Sequence, residues 1–257
     1  MVREMGKEWC YGLRNGRFLI LAAGFFFFAM LTPVMMKYVV PAVMQSQMPN
    51  LAPDVLQQMF QTSQTQCIQS YMGDVFEIGS VIVAFTLCGL IAQEIRDNTL
   101  VLPLCSGKRF LKIAGAKLTV FGAALVLILT AALAVNYAYA GMLFAFEVAL
   151  SPIIRAGLLQ GWYMVFLVAS LLAWGAMIKK PIAAGCMALV TVYGLHYLGS
   201  LLGISAYLPS GLLDEAMKLA ASPSPALYTA LEATGALILL LLSATLLRLK
   251  SMEWNER

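Results

Sequence analysis

The sequence predicts an all-α, polytopic membrane protein with six transmembrane helices, an N-terminal interfacial amphipathic helix and a short helix pair between spans five and six. Composition is the first reason: 61% of the 257 residues are hydrophobic and 12% are charged, whereas a soluble domain has about 45–50% apolar and about 25% charged residues. The second is a set of six long, charge-poor runs. The third is the uneven distribution of lysine and arginine between the connecting loops.

Six charge-poor runs set the expected boundaries of the spans. They lie at about residues 18–40, 73–93, 116–146, 156–178, 182–203 and 226–248. Each provides the roughly 20 apolar residues that a helix needs to cross the hydrocarbon core of a bilayer. We therefore expect one transmembrane domain over residues 1–257.

The basic residues predict the orientation of this domain. With the N-terminus in the cytoplasm, only Lys37, Arg155 and Lys218 of the 17 lysines and arginines fall on the outer side. Cytoplasmic loops carry such an excess of basic residues, so we expect a multi-pass protein of the cytoplasmic membrane with both termini inside. The net charge of +4 follows from this topology. Because the cations form no single patch, nucleic acid is not an expected partner.

Residues 1–17 predict an amphipathic helix. Val2, Met5, Trp9 and Leu13 recur at spacings of three or four residues, which places them on one helical face, and basic residues occupy the other face. Such a helix can lie in the cytoplasmic interface of the membrane. Two roles stay open, namely anchoring of span one alone and anchoring combined with docking of a partner.

Two segments, residues 41–72 and 204–225, are expected on the extracytoplasmic side. The first predicts a helix over residues 54–69 that caps the bundle. In the second, Pro209 breaks the chain and Ser210 is placed to cap a short amphipathic helix. This second segment predicts a re-entrant or interfacial helix pair.

The sequence lacks the common signatures of membrane enzymes. A rhomboid-type serine nucleophile needs a G-x-S-G turn and a histidine on another span. The nearest match is GISA at residues 203–206, which lacks the second glycine and shares a segment with His196, the single histidine. An H-E-x-x-H zinc motif and a G-x-x-x-x-G-K-[ST] phosphate loop are both absent from the sequence. We therefore assign no catalytic or metal-binding residue.

A few polar residues near the outer ends of the spans are candidates for a translocation path or gate. Ionisable groups at membrane depth are costly and often functional. Asp74 and Glu77 share one face of span two, because they are three residues apart. Asn136, Tyr137 and Glu232 could complete a vestibule with them. The alternative is that these groups lie in the outer headgroup region, where they cost little.

The segment between spans two and three, residues 94–115, is the most distinctive part of the sequence. Five basic residues of the inner side lie in or directly beside it, and residues 99–104 are apolar enough to pack against another protein. Such a segment suits docking into a soluble partner, although interaction with anionic lipid is the alternative.

The stretch SYMGDVFEIGSVIVAFTLCGLIAQEIRDNTLVLPLCSGKRFLKIAGAKL resembles the permease subunits of type-two ATP-binding-cassette (ABC) exporters. In that family, span two ends in a motif similar to E-x-x-x-G-T-x-x-x-x-L-x-x-P-x-S-R, and a lysine opens span three. Glu94 matches the acid, Thr99 the threonine and Lys117 the closing lysine. Asn98 stands where glycine is usual, and Gly107 and Lys108 stand near the usual proline–serine–arginine positions.

The resemblance implies a concrete function. Two such subunits, identical or homologous, pair in the membrane, and each recruits a cytoplasmic P-loop ATPase. Residues 94–115 would be the coupling loop, whose implied contacts with the ATPase are Glu94, Thr99, Leu104, Lys108 and Arg109. ATP and Mg would be bound by the ATPase and no cofactor by this chain, which would be a transport subunit rather than an enzyme.

Two alternatives from other classes remain at this point. A membrane scaffold or immunity-type protein would bind a partner without transport. An intramembrane hydrolase would require Ser205 or His196. The sequence does not identify a transported substrate.

Overall fold

The computed structural model describes residues 2–47, 63–100, 105, 109–220 and 222–251. Over these residues the protein is helical and contains no strand. Six helices are long and apolar enough to span a membrane, as the sequence predicts. They are Arg17–Val43, Gln64–Arg96, Phe110–Phe144, Leu150–Ile178, Pro181–Leu202 and Pro225–Lys250, here called spans one to six.

The boundaries differ most from expectation at the start of span two. This helix begins at Gln64 rather than at about residue 73, because the Ser63 hydroxyl accepts from the Gln66 backbone N–H and the Gln66 side chain accepts from the Ser63 N–H. This reciprocal capping starts a helix efficiently, and nothing interrupts it before the apolar run. The expected capping helix over residues 54–69 therefore continues into span two from Gln64 onward, and its first part lies outside the described residues.

Spans one and two each contain a short π-helical turn. Span one consists of Arg17–Val34, the π turn Met35–Val39 and Val40–Gln47. Span two consists of Gln64–Asp74, the π turn Val75–Gly79, Ser80–Leu87 and Gly89–Arg96. Such turns insert a residue into the helical ladder and reorient the faces on either side. The paired turns were not expected from the sequence.

Span four is the centre of the bundle. It packs against spans two, three, five and six. In its apolar stretch 78% of the residues are buried, compared with 22% in span six. Because a helix surrounded by other helices buries every face, span four carries most of the core, whereas spans one, five and six present broad apolar surfaces outward.

Close packing of spans three and four depends on two glycines spaced as G-x-x-x-G. A Cβ atom on Gly161 would lie 2.8 Å from the Val126 Cα, and one on Gly157 would lie 2.9 Å from the Thr130 Cα. Small residues at this spacing let two helix backbones approach closely in a membrane protein. The two glycines therefore set the distance between these spans.

Successive spans run in opposite directions, so the bundle has two ends. We call the end that holds Arg17, Arg96 and Lys250 the terminal end and the opposite end the distal end. Among the lysines and arginines that the structure describes, only Lys37, Arg155 and Lys218 lie at the distal end. The side of a membrane that each end faces stays a prediction.

The predicted N-terminal helix forms over Val2–Arg14 and packs against span three. The Trp9 ring lies 5.1 Å from the Phe18 ring, which lies 5.3 Å from the Phe121 ring of span three. The helix joins span one through Gly16, which has a φ of 66°. Glycine adopts this left-handed conformation without steric cost, so the chain turns sharply there.

The distal segment between spans five and six contains a 3₁₀ turn, Ser205–Tyr207, and the helix Ser210–Met217. The expected capping role of Ser210 is wrong: this residue is the first of the helix, follows Pro209, and donates its hydroxyl to the Ser205 carbonyl at 3.5 Å. The Gln69 side chain of span two donates to the Met217 carbonyl at 2.9 Å, so this segment is fastened to the bundle. Its depth in a membrane stays a prediction.

We predict that Gly161→Ala destabilises the protein, because the added methyl group meets backbone atoms that cannot move aside without separating spans three and four. Overpacking of this kind costs about 1–3 kcal/mol. The thermal unfolding midpoint of the purified protein in detergent measures the effect. The matched control is Gly194→Ala in span five, where no atom lies within 4 Å of the new Cβ. Since alanine is the better helix former, the control is expected to be neutral or stabilising, and equal destabilisation by both variants would contradict the packing argument.

Candidate functional site

A buried ion cluster lies at the terminal end of the bundle. Lys117, in the second turn of span three, has a fully buried side chain. Its ammonium group lies 2.8 Å from the Glu94 carboxylate at the end of span two and 2.9 Å from the Glu8 carboxylate of the N-terminal helix. We call these three residues the charge triad. It joins three separate elements of the chain at one point.

Burial makes this pairing strongly favoured. A charge removed from water costs several kcal/mol unless opposite charges and hydrogen bonds replace its hydration. The Lys117 ammonium finds two carboxylates, and the Tyr11 ring centre lies 5.9 Å away. The Glu8 side chain is 4% exposed and the Glu94 side chain is 19% exposed. Glu8 is thus the more deeply buried carboxylate of the charge triad, and Glu94 is the one nearer to water.

A cleft of about 240 Å³ opens beside the charge triad, between the N-terminal helix and the end of span two. Its lining is rich in charge and includes Glu4, Lys7, Glu8, Tyr11, Glu94 and Asp97. The cleft therefore gives water access to the outer side of Glu94, while Lys117 stays covered.

The chain turns directly after span two, beside Glu94. The Thr99 backbone N–H donates to the Glu94 carbonyl at 3.0 Å, and the Thr99 hydroxyl lies 3.3 Å from the same oxygen. Between them Asn98 has a φ of 53°. Only glycine, and next to it asparagine or aspartate, adopts this conformation routinely. Asn98 is therefore one of the few residue types other than glycine that suit this turn.

The predicted coupling residues fall in three groups. Glu94 and Thr99 lie together at the charge triad and its turn. Arg109 is exposed and immediately precedes span three. Leu104 and Lys108 lie outside the described residues.

Glu8 is the member of the charge triad that sequence reasoning missed. It lies on the buried side of the N-terminal helix, one turn from Met5, which packs on the core. The sequence does contain a sign of this contact, since an acid on the apolar face of an amphipathic helix requires a buried cation as its partner. The partner, however, is 109 residues away in the chain, so no local pattern identifies it.

The five candidate path residues do not meet at one point. Asp74 accepts a hydrogen bond from the Thr32 hydroxyl at 2.9 Å, which joins spans two and one. Asn136 is buried and donates to the Ala29 carbonyl at 2.9 Å, which joins spans three and one. Asp74 and Asn136 thus bind the same face of span one, at two positions that are about one helical turn apart.

The other three candidates lie elsewhere at the distal end. The Tyr137 hydroxyl donates to the Val148 carbonyl at 3.0 Å and fastens the turn after span three. Glu77 lies in the π turn of span two with an exposed side chain, and its backbone carbonyl accepts from Tyr193 of span five at 2.5 Å. Glu232 is exposed on span six.

The distal helix has its own ion pair, between Glu215 and Lys218. Burial would by itself raise the pKa of the Glu215 carboxyl, but its contacts with Lys218 and Ser224 outweigh burial and lower that pKa below its ordinary value. The carboxylate is therefore charged at neutral pH and links the distal helix to the residues just before span six.

Within the described part of the chain, no group of three or more histidine, cysteine, aspartate or glutamate residues is arranged to hold a metal ion. The comparisons with known proteins do not supply a function either. No protein-family model, curated protein or solved structure matches the chain.

We predict that Lys117→Met lowers the free energy of unfolding by about 3–5 kcal/mol, because removing the cation leaves the buried Glu8 carboxylate and the partly buried Glu94 carboxylate without a counter-charge. Thermal or denaturant unfolding in detergent measures this loss. The matched control is Lys112→Met, an exposed lysine in the same helix, which is expected to change stability by less than about 0.5 kcal/mol. Similar small effects from both variants would show that the charge triad does not stabilise the fold.

Proposed function

We propose that the chain is the permease subunit of a type-two ABC exporter, coupled to a separate cytoplasmic ATPase through residues 94–115. The observation that carries the proposal is the contact between Glu94 and Lys117. These residues match two separated positions of the family motif, and their side chains form a partly buried ion pair. A chance match of two isolated letters gives no reason for the residues to meet in space.

The surrounding geometry supports the same proposal. The segment after span two begins with the turn at Asn98 and Thr99, and its described residues Cys105 and Arg109 are exposed. The sequence of the segment is basic and apolar, which suits docking in a groove of a soluble subunit. Movement of this segment would be transmitted directly to both spans, since Glu94 and Lys117 belong to them.

Transport would then follow from nucleotide-driven rearrangement of the packed spans. ATP and Mg would be held by the ATPase, and two permease subunits would enclose the path. The candidate residues on that path are Asp74, Glu77, Asn136, Tyr137 and Glu232. The proposed location is the cytoplasmic membrane, with the terminal end in the cytoplasm.

We predict that the segment between spans two and three contacts a P-loop ATPase subunit. Cys105 is exposed within this segment, so a maleimide–benzophenone probe can be attached to it in a variant that lacks the other exposed cysteines. After co-expression with an ATPase from a neighbouring reading frame, irradiation should cross-link the two chains. The control is a second variant that keeps Cys186, which is exposed on span five, and lacks Cys10 and Cys105; the same probe on Cys186 should give no such product.

Removal of the charge at Glu94 or Arg109 tests the same contact further. Glu94→Gln or Arg109→Ala should reduce the Cys105 cross-link or separate ATP hydrolysis from transport, whereas Lys112→Met, also exposed near the start of span three, should do neither. An intact complex with normal coupling in both motif variants would contradict the coupling assignment. Stable binding of the ATPase without any nucleotide-dependent transport would instead favour the scaffold alternative.

We further predict that Glu77→Gln lowers transport by about tenfold or more, because a charge that contacts cargo or a gate contributes about 1.5–3 kcal/mol. The measurement is uptake into proteoliposomes that contain the permease and its ATPase, with a panel of ions, drugs, peptides and lipids. Glu147→Gln is the matched control, because Glu147 is also distal but is bonded by Thr65 at 3.3 Å. Unchanged transport in Glu77→Gln would show that this residue only anchors span two at the membrane interface.

A further inference from the structure

Glu8 differs from the other charged residues of the N-terminal helix. Arg3, Lys7 and Arg14 are exposed, whereas Glu8 is 3% exposed. An amphipathic helix that only lay on a membrane surface would gain nothing from a carboxylate on its buried face. The position of Glu8 is explained by its contact with Lys117, which requires the helix to be docked on span three.

Lys117 is shared, and this sharing connects its two partners. One ammonium group faces two carboxylates, so each carboxylate is attracted by Lys117 and repelled by the other. If Glu94 moves away, Lys117 is left with Glu8 alone, and if Glu8 moves away, Lys117 is left with Glu94 alone. Groups in direct contact within one ionic network do not act independently. The two carboxylates therefore compete for Lys117, and release of either one strengthens the attraction between Lys117 and the other.

Each partner also determines the position of a larger element. The Glu94 carboxylate fastens the end of span two to Lys117, and the turn that follows is closed by the Thr99 N–H on the Glu94 backbone carbonyl, with the next residue, Leu100, buried. Glu8 holds the N-terminal helix, which is joined to span one through Gly16 in its left-handed conformation. A helix that can rotate about Gly16 needs a contact far from Gly16 to fix its angle. Glu8 lies about two helical turns before Gly16 and makes such a contact.

We propose that Glu8 is a positioning residue of the coupling apparatus, which competes with Glu94 for Lys117 and thereby links the docking of the N-terminal helix to the position of the segment after span two. A partner that draws Glu94 away from Lys117 would thereby hold the N-terminal helix more tightly on span three. The consequence for ATP coupling rests on the proposed function, but the mechanical linkage is a property of this chain alone.

The linkage is tested in the chain alone by thiol labelling in lipid nanodiscs, on a background in which every native cysteine except the buried Cys67 is replaced. Two probes report the two elements: Met5→Cys, which is half-buried on the N-terminal helix, and Leu100→Cys, which is buried after span two. Leu249→Cys, buried at the terminal end of span six, reports general loosening of the bundle.

The proposal predicts crossed effects. Glu94→Gln, which does not lie on the N-terminal helix, should slow labelling of Met5→Cys by about tenfold, the change that corresponds to about 1.4 kcal/mol. Glu8→Gln should slow labelling of Leu100→Cys comparably. Labelling of Leu249→Cys should stay unchanged in both. The conservative Glu8→Asp variant keeps the charge and should slow labelling of Leu100→Cys less, and it replaces Glu8→Gln if that variant fails to fold.

Local effects would overturn the proposal. If Glu94→Gln exposes only Leu100→Cys and Glu8→Gln exposes only Met5→Cys, the two carboxylates hold their own elements and no linkage exists. Acceleration at all three probes would also overturn it, since the charge triad would then support the bundle in general.

The coupling role is tested separately in the complex with the ATPase. Glu8→Gln should raise ATP hydrolysis that is not accompanied by transport, to the extent that Glu94→Gln does. Normal coupling in Glu8→Gln, with crossed labelling present, would overturn the coupling role and leave the linkage. Failure of any ATPase to bind the unaltered chain would overturn the proposed function while the labelling result stands.

Discussion

The structure depends above all on the burial of a single cation. The Lys117 side chain is fully enclosed at the terminal end of the bundle, and a buried ammonium group is tolerated only with close counter-charges. Spans two and three and the N-terminal helix must therefore meet at one point. This requirement fixes the angle of the N-terminal helix and the direction in which the chain leaves span two.

The rest of the bundle is held by a different kind of contact. Polar side chains from one span donate to backbone carbonyls of another: Tyr71 to Phe25 at 3.3 Å, Gln160 to Met72 at 2.9 Å and Asn136 to Ala29. Such bonds between helices supplement packing where lipid provides little hydrophobic driving force. Span five is tied in the same way, since its Tyr193 donates to the Glu77 carbonyl of span two, whereas span six is the least buried of the six.

The sequence was sufficient for some of these features and not for others. Six spans follow from composition and run length, because apolar length is a direct physical requirement of a bilayer. Glu94 and Lys117 could be singled out through the family resemblance. Glu8 could not, because its partner is remote in the chain. The early start of span two depends on the reciprocal cap at Ser63 and Gln66, which the apolar pattern does not reveal.

The most direct test of the account is a double-mutant cycle between Glu8→Gln and Lys117→Met, read as the free energy of unfolding in lipid-containing micelles. If the charge triad governs the terminal end, Glu8→Gln lowers stability when Lys117 is present and raises it in Lys117→Met, where it removes an uncompensated buried carboxylate. The two changes should then deviate from additivity by about 1–3 kcal/mol. An identical effect of Glu8→Gln in both backgrounds would contradict the account.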